Sequence, residues 1–176
     1  YAGCGLPYYI GGSIEKEGEL IVNSPEKFMG LTGTQVHTSS EVVAVDPAAK
    51  TVSVQGEELY TVNYDKLVIA VGAEPSVPPV EGTGLPGVCT VRTPEDAIAA
   101  RKYAEEQGCR RAVVVGGGFI GLEVAENLMA RGLSVTVMDM APQLMPNIFD
   151  PEMADYVRRQ LQGRGMRILT RTPFYA

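Results

Sequence analysis

The chain has 176 residues, 45% of them hydrophobic, and a chain of this size buries about 70% of its unfolded surface, enough for one domain or two small ones. A formal charge of −6, with 15 Lys and Arg that cluster nowhere beyond Arg110-Arg111 and Arg158-Arg159, argues against a nucleic-acid surface and for small-molecule partners. The longest uncharged apolar stretch, AVVVGGGFIGL at 112–122, holds four glycines and falls short of the roughly 18 residues of a membrane span, so no membrane association is expected.

The chain opens YAGCGLPYYIGG. Cys4 reads in two ways: as a small buried residue, the fate of most free cysteines, or as a thiolate ahead of a helix N-terminus, with Pro7 suited to that helix's first turn. The residues alone leave both open. Cys89 and Cys109 match no motif, and three cysteines without a CxxC pair do not make a secreted disulfide framework, so a reducing cytoplasm is expected. Any targeting segment would precede Tyr1.

Residues 1 to about 90 read mostly as β structure, interrupted by a short helix in SPEKFMG that Ser24 caps and Pro25 opens. His37, the one histidine, falls in the strand-like TQVHTSS and reads as a scaffold residue. Alternation in TVSVQ predicts half-buried antiparallel strands with a turn at Asp46-Pro47, and the continuous apolar run Leu67–Val71 predicts a strand buried on both faces. EPSVPPVEGTGLPG, dense in proline and glycine, reads as a connection between domains.

Beyond it the period changes. Thr93 as N-cap, Pro94 at N1, acids in the first turn and Gly108 past the end predict a helix over about 94–107. There follow strand RAVVV, a glycine turn, helix FIGLEVAENLMAR stopped by Gly132, strand SVTVMD, helix PEMADYVRRQLQ capped by Asp150, and strand MRIL. The β-α-β-α-β order predicts a parallel sheet, and the chain as a whole is expected to be α/β.

The glycine turn carries the strongest chemical signal. Gly116, Gly118 and Gly121 form G-x-G-x-x-G directly after a predicted strand and at the mouth of a predicted helix. The first glycine permits the tight turn, the second lets backbone approach a pyrophosphate and the third lets helix and strand pack closely, while the helix N-terminus offers N–H groups to an anion. Asp139, at the end of the next strand, is placed to accept from a ribose 2′-OH. Its charge repels a 2′-phosphate and Met140-Ala141-Pro142 offers no arginine, so NADH is favoured over NADPH. No metal site is expected.

YDKLVIAVGAEPSVPPVEG resembles the strand-and-turn segment that precedes the NAD domain in flavoproteins with two dinucleotide-binding domains, matching at Tyr64, Asp65, Leu67, Gly72 and Pro75 and departing at Val71, where that family has threonine. Together with GGGFIGLEVAE it resembles the pyridine nucleotide-disulfide oxidoreductase family over nearly the whole chain. CGLPYYIGG is similar to the active-site segment of its coenzyme A-disulfide reductases, and position 9 is Tyr9 rather than the second cysteine of a CxxxxC pair.

The resemblance implies a partial FAD-binding domain over 1–90, including Gly72, and the N-terminal part of a Rossmann-type NAD-binding domain over 91–176. It implies FAD and NADH as cofactors, Cys4 as a single redox-active cysteine that pairs with coenzyme A, and Glu123 near the flavin and nicotinamide. It also implies a homodimeric parent protein with further FAD-binding and dimerisation segments, the chain being a fragment. The rival readings are an NADH oxidase or peroxidase in which Cys4 cycles through sulfenic acid, a persulfide or polysulfide reductase, and a dinucleotide-binding fragment without turnover.

Overall fold

The computed structural model describes residues 1–173. Contacts divide the chain into two compact units, one formed by Tyr1–Val22 together with the chain from Glu74 onward, the other by Asn23–Ala73.

The smaller unit begins with α1's later counterpart in sequence, a helix over Pro25–Thr32, called α2 here because a shorter helix, α1 (Leu6–Gly11), precedes it. Ser24 Oγ accepts from the Lys27 amide at 3.2 Å, the cap expected from SPEK. Three antiparallel strands follow, β1 (Glu41–Asp46), β2 (Thr51–Gln55) and β3 (Leu59–Asn63), in the order β1-β2-β3. Asp46 Oδ1 accepts from the amides of Ala48 and Ala49 at 2.9 Å each, which closes the first turn with the aspartate's own side chain. Alternation is realised in β2, where Val52 and Val54 are buried, whereas β1 and β3 are exposed along their whole length.

Two strand expectations fail in this unit. Leu67–Val71 joins no ladder, and Val68, Ile69 and Val71 are 84%, 71% and 91% exposed. A continuous apolar run becomes a buried strand only when neighbours supply hydrogen bonds and cover, and among the described residues both sheets form without it. TQVHTSS is likewise loop, with His37 exposed, because no strand pairs with it.

In the larger unit the first twenty residues are not β structure, and the helix read after Cys4, with Pro7 in its first turn, forms instead. A 3₁₀ turn at Gly3–Gly5 runs into α1, and a second 3₁₀ turn covers Glu17–Leu20. The apolar residues Leu6, Tyr9 and Ile10 recur at helical spacing and are all buried. The later elements follow the sequence closely: α3 (Pro94–Glu106), β4 (Arg111–Val115), α4 (Phe119–Ala130), β5 (Ser134–Met138), α5 (Pro151–Gly163) and β6 (Arg167–Leu169). Thr93 and Asp96 form a reciprocal capping box at α3, and Asp150 Oδ1 accepts from the Met153 amide at 2.8 Å at α5. β4-β5-β6 is the expected parallel sheet, with Val115 opposite Met138 and Met138 opposite Leu169.

Helix α4 has core on two sides. Leu122 and Ala125 join Val135, Val137, Leu144, Leu161 and Ile168 of the sheet and α5 side, while Val124 joins Leu6, Tyr9, Ile10, Leu20 and Ala97 of the α1 and α3 side. A buried aliphatic side chain contributes about 1.5–3 kcal/mol, so α4 is the element on which the sheet and the N-terminal segment both depend. No described helix is long and apolar enough to cross a membrane.

Candidate functional site

The three motif glycines lack a side chain for three different reasons. Gly116 has φ 112°, a conformation strained for any L side chain. At Gly121 a Cβ would lie 2.0 Å from the carbonyl oxygen of Gly116 and 3.4 Å from Val114 Cγ1, so only glycine lets α4 seat against the turn and β4. Gly118 is different. It is the N-cap of α4, with φ −85° and ψ −174° that any residue adopts, and a Cβ there would meet nothing within 4 Å. No side chain caps α4, so its first amides face the same open space, the arrangement that suits an anion.

Asp139 stands beside this turn. Its Oδ2 accepts from the Gly117 amide at 2.7 Å and its Oδ1 from the Ala141 amide at 2.8 Å, so one carboxylate ties the glycine turn to the end of β5. Each oxygen keeps a further lone pair for a hydroxyl. The following loop closes the far side: Met145 donates its amide to the Gly117 carbonyl at 3.1 Å, and Leu144, 1% exposed, packs where a Gly117 Cβ would be. The structure therefore brings Gly116, Gly118, Gly121 and Asp139 together at the N-terminus of α4, where the turn forms a cradle left open beside Gly118. Gly72 belongs to the other unit, where it is exposed with φ 77°.

Cys4 lies in the 3₁₀ turn ahead of α1 and is exposed, which removes the buried-core reading. Pro7 sits in the first turn of α1, as expected. Cys109 is half-buried. Cys89 is exposed as a residue, yet its thiol is pushed above the ordinary value, first by partial burial and then by the nearby Asp96 carboxylate. Glu123 is half-buried one turn into α4, and among the described residues no hydrogen bond or ion pair engages its carboxylate.

Sequence reasoning missed the residues that join the cysteine segment to the cradle. Gly11, at the end of α1, comes so close to α4 that a Cβ would lie 2.4 Å from Asn127 Oδ1. Arg131 Nη1 donates to the Ile10 carbonyl at 3.0 Å, and Arg101 Nη1 donates to the carbonyls of Tyr9, Ile14 and Glu15 at 3.3, 3.1 and 3.3 Å. Glu105 accepts from both arginines. Only the Arg101–Glu105 spacing of four on one helix was readable in advance.

Comparison with known proteins gives relatives over nearly the full chain. An NADH oxidase of Methanocaldococcus jannaschii is 43% identical over 98% of this chain and 39% of its own length. A CoA-dependent NAD(P)H sulfur oxidoreductase of Pyrococcus furiosus is 37% identical over 92% of this chain and 36% of its own length. Among solved structures, an NAD-dependent persulfide reductase from A. fulgidus superposes with a TM-score of 0.88 at 37% identity, over 99% of this chain and 33% of that one. The chain thus spans about two-fifths of the length of the curated relatives it matches. Residues 1–175 match the family described as pyridine nucleotide-disulphide oxidoreductase, and with these relatives the chain belongs to that family.

Proposed function

We propose that the chain is the part of an FAD-dependent NADH:disulfide oxidoreductase that holds NADH and the redox-active sulfur, and that its substrate is coenzyme A disulfide. The observation that carries this reading is the packing of α1, which follows Cys4 directly, on α4, which begins at the open cradle. One helix thereby supports both the dinucleotide turn and the segment that presents the thiol.

NADH and FAD, when bound, supply hydride and electron transfer. Gly116, Gly118 and Gly121 leave room for the NADH pyrophosphate at the α4 N-terminus, and Asp139 accepts from the adenosine ribose. Flavin binding, with Gly72 contributing, rests on the family, since the described residues contain one such cradle. The same likeness supports a role for Glu123 near the nicotinamide and flavin.

Cys4 does the sulfur chemistry. Attack by its thiolate on one sulfur of the disulfide breaks the S–S bond, forms a mixed disulfide on Cys4 and releases one coenzyme A thiolate. Two electrons then break the mixed disulfide, release the second thiolate and restore Cys4. The absence of a CxxxxC partner makes an external thiol the other half of the cycle, and the CoA-dependent sulfur relative supports coenzyme A in that place. The M. jannaschii relative favours a second reading, an NADH oxidase in which Cys4 cycles through sulfenic acid.

The test uses the intact flavoprotein. Cys4→Ser is expected to keep its flavin and its reduction by NADH while disulfide turnover falls by about three orders of magnitude or more, the scale of losing a covalent nucleophile. Alkylation at neutral pH is expected to be faster at Cys4 than at Cys89, whose raised thiol pKa leaves less thiolate. Intact mass after oxidation separates the readings: a coenzyme A adduct on Cys4 supports the disulfide reductase, one added oxygen after peroxide supports the oxidase. Full turnover by Cys4→Ser overturns the role of this residue.

A further inference from the structure

The C-terminal end of α1 is held from two other helices. Arg101 of α3 and Arg131, the C-cap of α4, donate between them to four backbone carbonyls at the end of α1 and the turn after it, Tyr9, Ile10, Ile14 and Glu15. Both arginine side chains are only 20% exposed, and Glu105 of α3 binds both. Arg101 also lies over the Tyr9 ring, with its guanidinium carbon 4.7 Å from the centroid. Carbonyls at a helix end need donors, and two cations there also oppose the negative end of the helix dipole.

The partners on α4 fall on one face. Glu123, Asn127 and Arg131 are spaced by four, and the last two both meet the end of α1. Asn127 Nδ2 donates to the Glu123 carbonyl at 2.9 Å, which fixes the amide that Gly11 packs against. The helix that starts at the cradle therefore also anchors the six-residue helix that follows Cys4. A segment this short has no stability of its own, so its position comes from its contacts.

We propose that Arg131, braced by Glu105 and assisted by Arg101, is a positioning residue that fixes Cys4 relative to the NADH cradle. The proposal rests on the redox role of Cys4 argued above. Arg131 touches neither cofactor nor substrate in this scheme; it acts through the Ile10 carbonyl and α1. Displacing a reacting group by about 1 Å costs roughly 100-fold in rate, which sets the scale of its effect.

In the intact flavoprotein, Arg131→Ala is expected to lower kcat for disulfide reduction by ~10- to 100-fold while the KM for NADH and the rate of flavin reduction by NADH stay within about twofold of the parent. Arg131→Lys, which restores one donor to Ile10 and the charge toward Glu105, is expected to recover at least half of the loss on a logarithmic scale. Glu105→Gln, which keeps both arginines and serves should Arg131→Ala fail to fold, is expected to give a smaller loss of the same pattern. Amide hydrogen exchange in the cofactor-free protein supplies a readout apart from turnover: Gly3–Gly12 is expected to exchange faster in Arg131→Ala, with β4 and β5 unchanged. Unchanged disulfide turnover in both folded variants overturns the proposal, as does a loss matched by an equal rise in the KM for NADH. Full turnover by Cys4→Ser sinks instead the redox role on which it rests, and faster exchange at Gly3–Gly12 would then still show that Arg131 places the segment.

Discussion

Besides the ribose contact proposed for it, Asp139 has a task within the protein that the sequence does not show. The G-x-G-x-x-G spacing marks it as the acceptor for a ribose hydroxyl, and the structure adds the two backbone amides, of Gly117 and Ala141, that it already holds. Replacing it is therefore expected to remove the proposed ligand contact and to loosen the turn together. For Asp139→Ser combined with Met140→Arg, NADH affinity is expected to fall roughly 10- to 100-fold, the equivalent of a hydrogen bond to a charged group. NADPH is expected to gain against NADH, because a cation replaces an anion beside the 2′ position. Fluorescence titration with both nucleotides measures the ratio, and tighter binding of NADPH by the unmodified protein would reverse the assignment. His37 is exposed in a loop of the smaller unit.

At the scale of the element, α4 has one glycine that packing requires, Gly121, and another, Gly118, that packing does not. Gly121→Ala pushes a methyl group into the Gly116 carbonyl, a backbone atom that cannot step aside, and overpacking of this kind costs about 1–3 kcal/mol. Its melting temperature is expected to drop by several degrees. Gly118→Val points into open space, so it is expected to melt within about two degrees of the parent, consistent with surface substitutions costing under ~0.5 kcal/mol, and yet to lose NADH binding. Thermal unfolding and NADH titration of the two variants check the contrast. Equal NADH affinity in folded Gly118→Val would make the open space irrelevant to binding. The same contrast explains what could be read ahead of the structure. Caps at Ser24, Thr93 and Asp150 and the glycine turn are each encoded within four to six residues, and each forms as expected. In the first twenty residues the local signal of Pro7 held against the general β reading, whereas Leu67–Val71 depends on partners distant in sequence, so apolar content alone misassigned it. The clamp on α1 was invisible for the same reason, since Arg131 and Ile10 are 121 residues apart.

Across the whole molecule the charge balance is negative, and of the three carboxyls held below their ordinary range, Glu26, Glu105 and Asp155, the last two are held there by arginines. Glu105 is held below the ordinary glutamate range by its hydrogen bond from Arg131 first and that from Arg101 second, and Asp155 is lowered chiefly by Arg158. A folded-state value below the unfolded one means that the native state binds fewer protons. The stabilisation is complete above the ordinary carboxylate range of about 4 and is lost as pH falls through the lowered folded value. Both side chains are well exposed, 47% and 40%, so each contribution is small and weakens with salt. Glu105 is the more consequential because its partners, unlike those of Asp155, reach across helices to the end of α1. Glu105→Gln is therefore expected to be less stable than the parent at pH 7 and low salt, and the gap is expected to close as pH is lowered toward 3, where the parent's own carboxyl becomes neutral. Urea unfolding followed by tyrosine fluorescence, in a chain without tryptophan, measures the gap at each pH. A gap that persisted or widened in acid would show that the Glu105 charge does not hold the two arginines in place.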